Sequence, residues 1–112
     1  ETGHLVLATL HTATAPQAIE RIVDVFPGEE RDLARTLLAD VLRAVVAQQL
    51  LARSDGAGRL AAHEILVGTP AVRNLIRENK TAQLISVMQT GQQQGMQTMA
   101  QSLEQLTKAG VV

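Results

Sequence analysis

Two regions with different residue patterns predict an α/β fold followed by a helical carboxyl-terminal region. Residues 4–10 form a nearly continuous apolar run, which is typical of a strand buried on both faces of a sheet. Residues 59–67 form a second extended run, and the Gly-rich cluster at 54–58 predicts a β-hairpin with the residues just before it. After Gly68, apolar residues recur only at helical spacing. We therefore expect mixed α/β structure as far as Gly68 and helices beyond it.

Helices are predicted for most of the remaining chain. Apolar side chains recur at helical spacing over residues 15–25, and Pro27 and Gly28 end the pattern. A longer periodic segment covers residues 29–48, with its apolar residues on one face and acidic residues in its first turn, as the helix dipole prefers. The next helix is predicted to have Thr69 as its N-cap and Pro70 as its first residue.

Apolar stripes continue to the end of the chain. They lie at 72–76, at 84–88 and, after an interruption by the Gln-rich stretch 91–95, at 96–106. We expect residues 110–112 to fray.

The composition excludes several classes of protein. The net charge is −1 and the basic residues are interspersed with acidic ones, so no positive surface for nucleic acid or anionic lipid is expected. Cysteine is absent, which excludes disulfides and thiolate metal sites and is compatible with a cytoplasmic protein. The first apolar run is too short for a secretory signal or a membrane span. No Met begins the sequence, so we expect it to start inside a larger protein.

Two histidines flank the opening apolar run and are candidate nucleotide contacts. Ligands of nucleotide-binding α/β folds bind at the carboxyl ends of the strands, and His11 lies there between Thr9 and Thr12. A local hydrogen bond is the commoner role of a lone histidine, and the residues alone favour it. A zinc site formed by His4, His11 and His63 is the weakest interpretation, because His63 has no acidic or thiol companion at ligand spacing.

The basic segment 71–80 is a second candidate region. Charged residues flank its apolar stripe, namely Arg73, Arg77, Glu78 and Lys80. A helix that presents arginine beside exposed aliphatic side chains is suited to docking a partner. The same spacing fits an amphipathic helix packed on its own domain, and spacing alone favours that second interpretation.

The sequence contains no phosphate-binding loop and no catalytic set. It has no G-x-x-x-x-G-K-[ST] motif to cradle nucleotide phosphates, and no apolar run ending in an acidic residue precedes the first strand to hold Mg²⁺. Glu29 and Glu30 fit dipole compensation at a helix start better than acid–base catalysis. We therefore expect no ATP turnover from this chain alone.

Three segments together resemble the secretion ATPase superfamily, whose members drive type II and type IV secretion and pilus dynamics. Residues 1–12, ETGHLVLATLHT, resemble its histidine box, and the similarity continues through residues 21–30. Residues 68–78, GTPAVRNLIRE, resemble the retraction motif of the PilT branch, AIRNLIRE, with Val72 in place of Ile. Ala13 is a departure from the pattern, because relatives often have asparagine there.

The resemblance implies the carboxyl-terminal part of a RecA-like P-loop ATPase core in residues 1–68 and a helical region with the retraction motif in residues 69–112. The implied nucleotide-sensing residues of the histidine box are His4, Thr9, His11 and Thr12. The implied retraction motif consists of Ala71, Val72, Arg73, Asn74, Leu75, Ile76, Arg77 and Glu78. ATP and Mg²⁺ would bind a full-length parent whose Walker A and Walker B motifs are missing from this sequence, and no cofactor is expected for the fragment alone.

The resemblance also implies an assembly and a place in the cell. In the family, six subunits form a cytoplasmic ring at the inner-membrane face of the pilus machinery, and ATP-driven motions disassemble the pilus fibre. We therefore expect a homo-hexameric parent that powers type IV pilus retraction and contacts an inner-membrane platform protein. A helical protein–protein interaction module without nucleotide binding is the alternative that the residue patterns leave open.

Overall fold

The computed structural model describes residues 6–10 and 12–112, and these contain five α-helices and one two-stranded antiparallel sheet. In chain order they are α1 (Ala15–Asp24), α2 (Arg31–Val41), β1 (Ala44–Ala52), β2 (Arg59–Val67), α3 (Pro70–Arg77), α4 (Leu84–Thr90) and α5 (Met99–Lys108). The α/β class predicted from the sequence is confirmed for these residues. None of the helices in the described part of the chain is long and apolar enough to cross a membrane.

The strand predicted for residues 4–10 is wrong for the part that the structure describes. Residues 6–10 form neither helix nor strand, and the side chains of Val6 and Leu7 are 68% and 88% exposed. An apolar strand of this kind is stable between neighbouring strands of a sheet. Among the described residues the sheet consists of β1 and β2 alone, so residues 6–10 do not lie between two strands. Residues 4 and 5 lie outside the described residues.

The long helix predicted for residues 29–48 is wrong beyond Val41. Helix α2 ends there, Leu42 is extended with φ −66° and ψ 127°, and β1 begins two residues later. Val45 and Val46 favour a strand because β-branched side chains pack well on a pleated surface. Pairing with β2 then satisfies the backbone groups of the segment that face β2.

The apolar face of α2 is only partly turned inward. Leu38 and Leu42 pack against the core, whereas Leu33, Leu37 and Val41 are 61%, 56% and 44% exposed. The apolar face predicted for this segment is therefore only partly buried. Helix α2 instead buries the small side chains that lie between them, which are Ala34 and Ala39.

The predicted β-hairpin is confirmed, with a first strand that begins earlier than expected. Strand β1 pairs antiparallel with β2, starting with Ala44 opposite Val67. Arg53 closes the turn by donating its backbone N–H to the carbonyl of Gly58 at 2.9 Å. The Asp55 carboxylate accepts from the Arg53 guanidinium at 3.2 and 3.1 Å, and these contacts hold the pKa of Asp55 below its ordinary value. The turn therefore loses this support as the pH falls through that lowered pKa.

One hydrophobic core joins segments on both sides of Gly68. Its buried members are Ala15, Ile19, Ala39, Leu66, Val72, Ile76, Leu84, Met88 and Met96. Alternate residues of a strand share a face, and on β2 the inward face consists of Ala62, Glu64 and Leu66, each at most 2% exposed. The domain boundary expected at residue 68 stays a prediction, and the core crosses it.

Side-chain caps fix the starts of α3 and α5 in the carboxyl-terminal region. The Thr69 hydroxyl accepts a backbone N–H of α3 at 3.4 Å and Pro70 is the first residue of that helix, as predicted. Thr98 and Gln101 form a capping box at the start of α5. Met96 therefore lies before α5 and not within it, although its side chain is buried in the core as its apolar character requires.

The end of the chain is held in place, so the expected fraying is wrong for Gly110 and Val111. Ser54, in the hairpin turn, donates its backbone N–H to the carbonyl of Val111 at 2.9 Å. Its hydroxyl donates to the carbonyl of Gly110 at 2.6 Å. The carboxyl-terminal residues are thus attached to the same hairpin that organises the core.

Gly68 lies where the end of β2 passes close to Leu42. A Cβ at this position would collide with the carbonyl oxygen of Leu42, and the Gly68 N–H donates to the carbonyl of Arg43 at 2.8 Å. The backbone therefore cannot move aside without losing a hydrogen bond. We predict that Gly68→Ala lowers the free energy of unfolding by about 1–3 kcal/mol in urea denaturation.

Gly28→Ala is the matched control for this change. A Cβ at Gly28 would meet no atom within 4 Å, so its effect should stay within about 0.5 kcal/mol. Equal stability of the two variants would contradict the close approach of the chain at Gly68.

Candidate functional site

Of the predicted histidine-box residues, the structure describes Thr9 and Thr12, which precede α1. His4 and His11 fall outside the described residues, so their predicted roles stay predictions. Thr9 is exposed and Thr12 is half-buried. Thr12 comes two residues before Thr14, the N-cap of α1, whose hydroxyl accepts the N–H of Gln17 at 3.3 Å. The segment that carries the predicted sensing residues therefore leads directly into a capped helix.

A buried carboxylate on β2 holds the start of α1. Glu64 is 2% exposed, and its Oε2 accepts the backbone N–H of Ala15 at 2.6 Å. Its Oε1 accepts the backbone N–H of Met99, the first residue of α5, at 3.1 Å. Unpaired N–H groups and the helix dipole make a helix N-terminus a favourable place for negative charge. One side chain therefore satisfies the N-termini of two helices that are far apart in sequence.

Sequence reasoning missed the role of Glu64. The signal was present, because Glu64 lies between Ala62 and Leu66 on the same face of a strand that was correctly predicted. A carboxylate flanked by apolar residues at a spacing of two must be buried with them and needs hydrogen-bond donors. The sequence does not reveal that these donors come from α1 and α5.

The predicted retraction motif covers α3 and divides into a buried and an exposed face. Val72 and Ile76 are fully buried in the core, and Leu75 packs partly buried against it. The aliphatic stripe is therefore packed within the chain's own fold, which was the interpretation that spacing alone favoured. The residues of the motif that are exposed are Ala71, Asn74, Arg77 and Glu78.

Polar contacts hold α3 against α2. The Arg77 guanidinium donates to the Asp40 carboxylate at 3.1 Å and to the side-chain oxygen of Asn74 at 2.9 Å. The Asp40 pair is exposed, so it directs the packing of the two helices more than it stabilises them. The Nε atom of Arg73 is buried without a hydrogen-bond partner among the described residues. Helix α3 is thus positioned by its buried face and by one ion pair.

A cavity of about 160 Å³ lies between α1, α2 and the end of α3. Glu20 and Asp24 face it with a single cation, Arg35. Glu20 accepts the hydroxyl of Thr81 at 2.6 Å, and Arg35 is already paired with Asp32 at 2.7 Å. The two carboxylates repel the negatively charged phosphates of a nucleotide, and the guanidinium of Arg35 is already paired with Asp32. This cavity therefore does not suit ATP.

The described residues also offer no cluster of three or more metal-ligating side chains. His63 lies on β2, where its backbone N–H donates to Ser102 at 3.1 Å and its carbonyl accepts from the Gln97 side chain at 2.8 Å. These contacts attach β2 to α5 and to the segment before it.

Comparison with known families defines the class of protein. The family model described as type II/IV secretion system protein matches residues 1–112, which is the whole chain. The chain belongs to this family. The resemblance to the secretion ATPases that the histidine box and the retraction motif indicated is thereby confirmed.

Several individual relatives with high sequence identity are proteins of pilus motility. The chain is 57% identical over 112 residues to a twitching motility protein of Neisseria gonorrhoeae and 52% identical over 112 residues to the type IV pilus retraction ATPase PilT of Pseudomonas aeruginosa. These alignments cover 100% of this chain but only 30% and 32% of the relatives. The crystal structure of the pilus retraction motor PilT with bound ADP matches with a TM-score of 0.88 and 46% identity, over 100% of this chain and 31% of that one.

We predict that substitutions on the buried and the exposed face of α3 change the free energy of unfolding by different amounts. Ile76→Ala removes a fully buried side chain from the core and should lower the free energy of unfolding by about 2–5 kcal/mol. Asn74→Ala on the exposed face should change it by no more than about 0.5 kcal/mol. Thermal and urea unfolding of both variants check this difference, and an unaffected Ile76→Ala variant would contradict the assignment of the buried face.

Proposed function

We propose that this chain is the carboxyl-terminal part of an ATP-driven motor that powers type IV pilus retraction in twitching motility. The observation that carries the proposal is the match of the whole chain to the retraction motor PilT in both sequence and fold. The chain spans about a third of the length of these relatives. ATP hydrolysis therefore belongs to the parent, and this part supplies sensing and coupling.

Nucleotide binding is assigned to segments of the parent that this sequence does not contain. The ADP bound to the related PilT motor supports a nucleotide site in the parent, and Mg²⁺ would accompany ATP there. The phosphate state would be sensed by the histidine box, whose residues are His4, Thr9, His11 and Thr12. The position of Thr12, just before the N-cap of α1, supports this role, because a shift of the box would reach α1 directly.

Coupling to the pilus is assigned to the exposed face of α3. Ala71, Asn74 and Glu78 follow one another at helical steps of three and four, so they lie on one side of the helix. Val72 and Ile76 anchor the opposite side in the core. A rigidly anchored helix with an exposed face is suited to pass a movement of the core to a neighbouring subunit or partner. The buried aliphatic stripe disfavours the alternative of an independent docking helix.

The family membership supports a proposal for the assembly and the location of the parent. We propose that the parent is a homo-hexamer in the cytoplasm, at the inner-membrane face of the pilus machinery, with an inner-membrane platform protein as partner. Neither nucleic-acid binding nor membrane insertion forms part of the proposal. The mixed charge of the chain supports this view, since it provides no basic surface.

Sensing and coupling are separable in the full-length parent. His11→Ala should lower ATP turnover by at least about tenfold, which corresponds to about 1.4 kcal/mol. The double substitution Asn74→Ala with Glu78→Ala should impair pilus retraction while ATP turnover stays within about twofold. Phosphate release assays and retraction of single pili measure the two activities.

Glu104→Ala is the matched control on α5, since Glu104 is exposed and pairs only with Lys108 at 3.0 Å among the described residues. This variant should retain both activities. Equal loss of hydrolysis and retraction from both test variants would reject the division between sensing and coupling.

A further inference from the structure

We infer that Glu64 is a mechanical link that couples the start of α1 to the start of α5. The inference goes beyond the proposed motor function, because neither nucleotide nor pilus enters it. It rests on the two hydrogen bonds of the buried carboxylate, one from Ala15 at 2.6 Å and one from Met99 at 3.1 Å. Glu64 is thus a positioning residue between the segment that follows the histidine box and the last helix of the chain.

The two bonds depend on each other because they share one buried carboxylate. A charged group in the interior must have hydrogen-bond donors, and an unsatisfied one costs at least about 1–3 kcal/mol. If α1 moves away and withdraws the N–H of Ala15, the inward position of the Glu64 side chain becomes less favourable. The carboxylate then turns outward more often and releases Met99 as well. Opening of one helix start therefore promotes opening of the other.

Further hydrogen bonds extend the link to α4. Thr98 accepts the N–H of Gln101 at 3.1 Å, and the Gln101 side chain donates to the carbonyl of Gln89 in α4 at 3.1 Å. Because Met99 lies between Thr98 and Gln101, a displacement of the first turn of α5 also displaces the contact with α4. The connected path runs from α1 through Glu64 to α5 and α4.

The link has a reference contact that does not include Glu64. The backbone N–H of Ile65 donates to the carbonyl of Gln97 at 2.8 Å, and the N–H of Gln97 donates back to Ile65 at 3.1 Å. These bonds tie β2 to the segment before α5 directly. If the whole core becomes less stable, hydrogen exchange at the Ile65 amide should also become faster. If the effect is transmitted through the Glu64 carboxylate, exchange at Ile65 should not change.

Hydrogen exchange in the full-length parent, read at single amides by mass spectrometry with electron-transfer fragmentation, tests the link. Thr14→Ala removes the cap of α1 and should speed exchange at Ala15 and, through Glu64, at Met99 by about three- to fivefold. Thr98→Ala removes the cap of α5 and should speed exchange at Ala15 by a similar factor, because coupling is reciprocal. Exchange at Ile65 should stay unchanged when Thr14 is replaced.

Glu64→Gln removes the link with little change in shape. Ala15 and Met99 donate to different oxygens of the carboxylate, and in the amide an NH2 donor replaces one of these oxygens. One helix start therefore loses its acceptor, and in this background Thr14→Ala should no longer affect Met99. Glu104→Gln removes an exposed carboxylate from α5 and should preserve the transmission.

Two results would overturn the inference. One is a Thr14→Ala variant in which Ala15 exchanges faster and Met99 does not. This result is obtained without any substitution of Glu64, so it is decisive even if Glu64→Gln fails to fold. The other is transmission of equal size in the presence of Glu64→Gln, which would place the coupling in the hydrophobic core instead.

Discussion

The inward face of β2 is the constraint on which the rest of the structure depends. Three alternate residues of this strand are buried, namely Ala62, Glu64 and Leu66. Two of them have different requirements for packing. Leu66 belongs to the hydrophobic core, and Glu64 requires hydrogen-bond donors from the backbone. A shift of β2 by one residue would expose Leu66 and leave the carboxylate without α1 and α5. The hairpin register therefore determines where the helices begin.

The function proposed for α3 follows from its attachment to this core. Val72 and Ile76 lie in the same cluster as Leu66 and as Ile19 of α1. Movement of α1 relative to β2 must therefore be accommodated by α3, because packed interiors yield in discrete steps and not gradually. The predicted retraction motif thus consists partly of core residues, and only its exposed residues are accessible to another molecule.

The sequence alone predicts those elements that are determined by a few neighbouring residues. The turn around Gly56 and the cap formed by Thr69 and Pro70 could be read directly from the sequence. The strand β1 could not, because Val41 and Val45 are four residues apart and this spacing satisfies both a helix and a strand. Only pairing with β2 decides between them. The burial of Glu64 could be read from the alternation on β2, but its donors could not, since they are 49 and 35 residues away in sequence.

We expect the segments before and after Gly68 to behave as one unit built on β2. Native-state hydrogen exchange at increasing denaturant measures this most directly, with Ile19 in α1 and Met88 in α4 as reporters on the two sides of Gly68. If one core holds both, their amides should approach the same opening free energy and the same dependence on denaturant. Two distinct opening free energies, with the helices after Gly68 opening alone, would contradict the account.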